Sequence, residues 1–298
     1  MPFIIDRRSF LKSSMGALAL SAGRQLFAAE ADSAAHWALL SDIHIAADPA
    51  DTFRGFHPSA NLTKVLGEVG ERQFDGLLVN GDLARLLGKP EDYARVAGYL
   101  EPLANKMPLA ITLGNHDSRK NTRAAIVKLA GAAQPVERKL VTTVEAGPVQ
   151  LILLDSLLAT NVTPGQLGTA QRNWLANYIG TLGNKPAIVF VHHNLDPKDD
   201  NALVDAAALL DIAKSNRAVK AILYGHTHAW KYAKSDELHL VNIPAVGYNF
   251  KDSEPVGWTE AAFRPDGCTL KLHAIGGEMS PDGQVLQLRW SERVSSRS

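Results

Sequence analysis

Six of the ten histidines in this chain stand in four short polar stretches: Asp42-Ile43-His44, Gly114-Asn115-His116-Asp117, His192-His193-Asn194 and Tyr224-Gly225-His226-Thr227-His228. A fifth stretch, Gly81-Asp82, adds an acid. Neutral imidazole is the commonest metal ligand near neutral pH, and carboxylate and amide oxygens complete the usual donor sets of divalent ions. Two histidines at i and i+2 across a turn can aim two rings at neighbouring points. Each stretch alone has a plainer explanation, because an Asp or Asn behind a strand commonly caps a turn or a helix. All five follow apolar runs, and together they point to a metal site assembled at strand ends.

The runs that would carry these residues read as buried strands over 37–41, 74–80, 109–113, 187–191 and 221–223. Helical patterns alternate with them, over 60–70 with Ser59 as N-cap, 90–105, 121–129, 166–182 and 202–215. Two β runs, 140–144 and 149–154, flank a Gly147-Pro148 turn. From 238 onward the pattern is β throughout, over 238–244, 258–263, 269–274 and 285–290. Alternation followed by strands implies a large mixed sheet flanked by helices, with a second sheet from the late strands. In open α/β sheets ligands bind beyond the carboxyl ends of the strands, where the five stretches lie. Trp174 is read as a core residue, Cys268 as a small core thiol, and His36, His239 and His273 as structural.

The 298 residues are 46% hydrophobic with a formal net charge of zero. That balance gives no reason to expect nucleic acid or anionic lipid as a partner. One cysteine excludes an intramolecular disulfide. The first 31 residues read as a signal peptide, with Asp6-Arg7-Arg8-Ser9-Phe10-Leu11-Lys12, a short apolar run and a small-residue stretch around Ala29-Glu30-Ala31. The Arg7-Arg8 pair followed by Phe10-Leu11-Lys12 resembles a twin-arginine signal, although Asp6 replaces the usual Ser or Thr. The expectation is an exported protein, periplasmic or extracellular, that meets the twin-arginine export machinery during targeting. The remaining domain, 32–298, holds 27 basic and 29 acidic residues, so any anionic substrate must be attracted locally.

The ordered set D-x-H, G-D, G-N-H-D, H-H and G-H-x-H resembles the calcineurin-like metallophosphoesterase family over nearly all of the domain. The resemblance implies a four-layer α/β/β/α sandwich of two mixed β-sheets flanked by helices, and a dinuclear site for two divalent or trivalent ions (Mn, Fe, Zn or Co). It assigns Asp42, His44, Asp82 and His228 to one metal. Asp82 would bridge to a second metal completed by Asn115, His192 and His226. His116 would protonate the leaving oxygen, with Asp117 orienting it. Two dications about 3.5–4 Å apart can clamp a phosphoryl group and activate water, and with Asp42 and Asp82 as the only anionic ligands the site keeps the positive charge that attracts a phosphoester.

The implied activity is hydrolysis of small-molecule phosphoesters, diesters favoured over monoesters. A phosphomonoesterase or a non-catalytic scaffold of the same fold are the alternatives, and the complete ligand set favours catalysis. Arg85 stands where purple acid phosphatases carry a metal-binding Tyr, which excludes that branch. His192-His193-Asn194-Leu195 departs from the H-H-P-P of bacterial phosphodiesterases, and Asp82-Leu83-Ala84-Arg85 lacks a further acid common in cyclic-nucleotide enzymes. Both put cyclic AMP in doubt. His193 is expected to support the site from behind, and Asn194, Arg85, His57, Arg119 and Tyr248 to line an outer pocket.

Overall fold

In the computed structural model, residues 34–290 are described; the expected signal peptide lies outside them. Short apolar runs that alternate faces build two sheets. The first contains β1 (Ala35–Leu40), β2 (Gly76–Asn80) and β3 (Leu109–Thr112), mutually parallel, extended by β11 (Pro255–Arg264), β12 (Gly267–Gly277) and β13 (Val285–Arg289) in the order β13-β12-β11-β1-β2-β3. The second contains β4 (Ala132–Ala133), β5 (Thr142–Ala146), β6 (Val149–Leu153), β7 (Ala187–Phe190), β8 (Val219–Tyr224), β9 (Lys231–Ser235) and β10 (Leu238–Asn242), in the order β4-β5-β6-β7-β8-β10-β9.

Period-two side-chain alternation sorts the core into layers. In β1, Trp37 and Leu39 face the other sheet and pack with Phe190, Ile188, Leu223 and Phe263, while Ala38 and Leu40 face helices. Helices α1 (Pro58–Gly70) and α2 (Pro90–Ala104) cover the first sheet through Leu62, Val65, Val69, Tyr93, Val96 and Leu100. The short helix α3 (Arg119–Ala125) follows β3. Helices α4 (Thr169–Thr181) and α5 (Ala206–Ser215) cover the second sheet through Leu175, Ile179, Leu209 and Ala213. This is the expected α/β/β/α sandwich.

Its strand assignment differs from expectation. The last three strands do not form a second sheet; β11 pairs antiparallel with β1 along Ala35–Leu39 and carries β12 and β13 outward in the first sheet. The second sheet comes from the middle of the chain. Pairing between distant strands is decided by which edge and face remain open, which local periodicity does not encode. Helix α1 starts at Pro58 rather than after Ser59, because Pro at the first helical position needs no N–H partner. Trp174 is half-buried and stacks on Tyr178 at the edge of the helical layer.

Candidate metal centre

Because β1, β2 and β3 run parallel, as do β6, β7, β8 and β10, their carboxyl ends share one side of each sheet. The ladders continue past the strands: Asp42 N–H donates to Gly81 O (3.1 Å), His44 N–H to Asp82 O (3.0 Å) and Gly225 N–H to His192 O (2.9 Å). These bonds bring the ligand-bearing loops together backbone to backbone. Two motif glycines make the approach possible. A Cβ on Gly114 would stand 2.1 Å from Asp82 Oδ1, and one on Gly225 would stand 2.1 Å from Ser41 Oγ and 2.5 Å from Asp42 Oδ2.

The donor atoms converge on three overlapping groups: Asp42, His44 and His228; His44, Asp82 and His116; Asp82, His192 and His226. His228 Nε2 lies 3.2 Å from Asp42 Oδ1, His192 Nε2 lies 3.4 Å from Asp82 Oδ2, and His44 Nε2 lies 3.8 Å from Asp82 Oδ2. Asp42, His44, Asp82, Asn115, His192 and His228 are all at most 2% exposed. Several of their polar atoms have no hydrogen-bond partner, namely Asp42 Oδ1, His44 Nδ1, Asn115 Oδ1 and His192 Nε2. Buried polar atoms are normally satisfied. Here buried oxygen and imidazole atoms stand without partners within a converging set of Asp and His side chains, a donor set that fits a metal centre.

Neighbouring groups fix the rings. His192 Nδ1 pairs with Asn80 O (2.9 Å) and His228 Nδ1 with Tyr248 O (2.5 Å), so each donates from Nδ1 and turns Nε2 toward the carboxylates. Burial pushes His44 down to about 3, with Asp82 working against it. Burial also lowers His226, to about 4, helped by His192; both are the neutral rings that metals need. Burial would lower His192 too, but Asp82 and Asp42 overcome it and hold that ring up to about 10. Burial would raise Asp42 and Asp82, yet the histidines around them, His192 foremost, keep both below the ordinary carboxylate range. The paired carboxylates thus draw positive charge into this spot, and a bound cation would take that place.

His116 reaches the same cluster from the rim. Its Nε2 is 3.9 Å from Asp82 Oδ2, and its Nδ1 pairs with Leu86 O at 3.0 Å. This corrects the expectation for Asp117. The Asp117 carboxylate is fully buried and turned to the backbone, where it accepts from Leu83 N–H (3.0 Å), Ala84 N–H (3.2 Å), Gly114 N–H (2.9 Å) and the Tyr93 hydroxyl (2.7 Å). It clamps the loops behind β2 and β3, and Leu86 O sets the His116 ring. Burial and the nearby Asp82 raise Asp117 to about 7.

The cleft above the cluster has a volume of about 620 Å³ and is lined by His44, Asp82, Asn115, His116, His226 and His228, and outside them by Asn194 and Phe250 among others. Asn194 meets the expectation of an outer-pocket residue and donates to Asp199 at 2.8 Å. His193 stands behind His226, its Nδ1 paired with Ser156 Oγ at 2.7 Å. Four outer-pocket expectations, Arg119, His57, Arg85 and Tyr248, fail. Arg119 forms a two-pronged ion pair with Asp155 (2.6 and 2.8 Å) and a bond to Leu157 O, which pins it away from the cleft. His57 is the exposed N-cap of α1 and does not line the cleft. Arg85 is tied to Asp51 at 2.8 Å and lies over the Phe53 ring. Tyr248 is buried, stacked on His44 at 4.7 Å, and acts from behind the ring. Sequence reasoning missed Phe250, Asp196 and Asp199 as cleft residues; the one available signal was an aromatic in the otherwise polar stretch Asn249-Phe250-Lys251-Asp252.

Comparison with known proteins agrees with this geometry. The calcineurin-like phosphoesterase family matches residues 36–230. The chain is 27% identical over 243 residues to a 3′,5′-cyclic adenosine monophosphate phosphodiesterase of Haemophilus influenzae, covering 76% of this chain and 85% of that one. It is 26% identical over 207 residues to a glycerophosphodiester phosphodiesterase of Enterobacter lignolyticus, covering 66% and 72%. A dimetal phosphatase from Danio rerio shares the fold with a TM-score of 0.69 at 14% identity, covering 86% of this chain and 99% of that one. The chain therefore belongs to the calcineurin-like phosphoesterase family. It is a phosphoric ester hydrolase, and the family together with its His/Asp clusters indicates a dinuclear metal site.

Proposed function

We propose that this protein hydrolyses small phosphodiesters, with Asp42, His44, Asp82 and His228 holding one metal ion and Asp82, Asn115, His192 and His226 a second. The observation that carries the reading is the chain of three donor groups that overlap at His44 and at Asp82, with buried, unpartnered Asp42, Asn115 and His192 atoms among the residues concerned. When bound, the metals supply Lewis-acid polarisation of the phosphoryl group and of the attacking water. The mixed N/O donors suit Mn, Fe, Zn or Co. His116, held at Nδ1 by Leu86 O, presents Nε2 to the cleft and delivers a proton to the departing alkoxide. Asp82 Oδ1 accepts the His116 backbone N–H at 2.9 Å and keeps acid and ligand in one frame.

Diesters are favoured over monoesters because the cleft wall carries Asp196, Asp199 and Glu254 against Lys231 and Lys251. A singly charged ester enters such a wall more easily than a doubly charged one. Relatives named for cyclic-nucleotide and glycerophosphodiester hydrolysis support the same class. Metal-loaded protein should turn over bis-p-nitrophenyl phosphate with a higher kcat/KM than p-nitrophenyl phosphate; a clear monoester preference overturns the ranking. We further propose export by a twin-arginine route. Arg7→Lys together with Arg8→Lys should leave the protein in the cytoplasm, and unchanged export of that variant rejects the route.

A further inference from the structure

The cleft holds one feature that phosphoryl chemistry does not use. Phe250, on the loop after β10, stacks against the His228 ring with centroids 4.2 Å apart and planes 26° apart. It nevertheless remains 45% exposed and lines the cleft. What distinguishes this ring from an ordinary exposed side chain is its position, stacked on a histidine of the metal cluster and open to the cleft. Its mount is rigid: Tyr248 meets Phe250 edge-on at 5.7 Å and stacks on His44, Phe53 meets Tyr248 edge-on at 4.7 Å, and the Arg85 guanidinium caps Phe53 at 4.5 Å while Asp51 holds its other side. An arc of aromatic rings thus runs from Phe53 through Tyr248 beside His44 and His228 and ends in Phe250, which lines the cleft, as Tyr224 does elsewhere in its wall. The lining also includes the polar residues Asn194, Asp196, Asp199 and Asn201, with Tyr224 near Asp196.

We propose that Phe250 is a stacking platform for a planar ester group, a nucleobase or an aryl ring, and so sets which phosphodiesters this site prefers. The inference rests on the phosphodiesterase reading above. A flat ring has the right shape because Phe250 offers one face to His228 and the other to the cleft, where a planar group attached to a bound phosphoryl lies parallel to it. Glycerol-type groups gain nothing there, since they present hydroxyls and no π-face.

The test measures kcat/KM of metal-loaded wild type, Phe250→Leu and Phe250→Trp for 3′,5′-cyclic AMP and for glycerophosphoethanolamine. Phe250→Leu keeps an apolar cover over His228 but removes the ring. From the usual strength of base–aromatic stacking it should shift the ratio of the two kcat/KM values about tenfold against the nucleotide, through KM rather than kcat. Phe250→Trp should keep the wild-type ratio. An unchanged ratio in Phe250→Leu, or an equal loss on both esters, overturns the platform and leaves the ring as a cover for His228. If wild type cleaves neither ester, the phosphodiesterase reading has failed, and calorimetric binding of adenosine 5′-phosphate decides the platform alone: weaker binding by Phe250→Leu with Phe250→Trp intact supports it, and equal binding refutes it.

Discussion

Replacing Tyr93 by Phe tests the clamp directly, since it deletes one oxygen from a side chain that water does not reach. That oxygen donates to Asp117 Oδ1 at 2.7 Å and accepts from Ser118 N–H at 2.9 Å. A hydrogen bond to a charged partner contributes about 1.5–3 kcal/mol, and a buried group left unpaired costs about 1–3 kcal/mol. Asp117 keeps the Leu83, Ala84 and Gly114 amides, so the loss should fall at about 2–3 kcal/mol. In a domain of this size that lowers Tm by about 5–10 °C, read by calorimetry on the metal-loaded protein. Asp117→Asn should cost more than Tyr93→Phe. Asp117 Oδ2 accepts from Gly114 and Leu83 and Oδ1 from Leu83, Ala84 and Tyr93, so whichever oxygen becomes NH2 turns a donor onto a backbone donor. Loosening the loops that carry Asp82 and Asn115 should also cost about 10–100-fold in metal affinity or turnover, as is common for groups that orient ligands. An Asp117→Asn protein with wild-type Tm and metal content, but a displaced pH profile of turnover, would refute the clamp and make Asp117 the partner of the His116 ring after all.

Three further outcomes are expected. His116→Ala should retain both metals by elemental analysis while turnover falls by about two to four orders of magnitude, the usual contribution of a general acid; unchanged turnover removes His116 from the reaction. Chelation should abolish activity and lower Tm, because metals that bind only the folded chain stabilise it by mass action, and a Tm indifferent to chelator would mean that the cluster holds no metal. Arg119→Ala should destabilise by about 3 kcal/mol, as removing one partner of a buried ion pair does, because Asp155 is fully buried and its next cation, Lys139, is 4.0 Å away. Its KM should stay at the wild-type value, and a large KM increase would return Arg119 to the cleft.

The converging Asp and His cluster was legible because it is written in residue types at fixed points behind apolar runs, and residue type is what ligation requires. Contacts that depend on where a loop turns were not legible. Asp117 is the next residue after His116, yet the turn sends its carboxylate to the backbone amides on the other side. Arg119 lies two residues further on and is drawn to Asp155 on a different strand end. Strand β9, Lys-Tyr-Ala-Lys-Ser, escaped notice because an exposed edge strand needs no apolar face and is kept polar and charged. The assignment of β11 to the first sheet escaped for another reason. Its own sequence is mostly buried and apolar and does not by itself specify which sheet it joins.

One regularity links what was legible to what was not. Nine non-glycine residues among those described have left-handed φ, and five of them are Asp42, His44, Asp82, His226 and His228. Such backbone is uncommon outside glycine, though Asp, Asn and His enter it several times more readily than other residues, and it persists only where the surroundings over-determine it. The Asp and His side chains of the cluster are therefore also those that tolerate the sharp turn needed to point back over the strand end. The ladder bonds from Asp42 to Gly81, His44 to Asp82 and Gly225 to His192 hold those turns, and the motif glycines clear the space they turn into. What looks in sequence like a list of ligands is in three dimensions a set of strained turns, each fixed by the backbone of the next motif. A side chain in one of these turns cannot shift without disturbing the backbone bonds that join it to another motif.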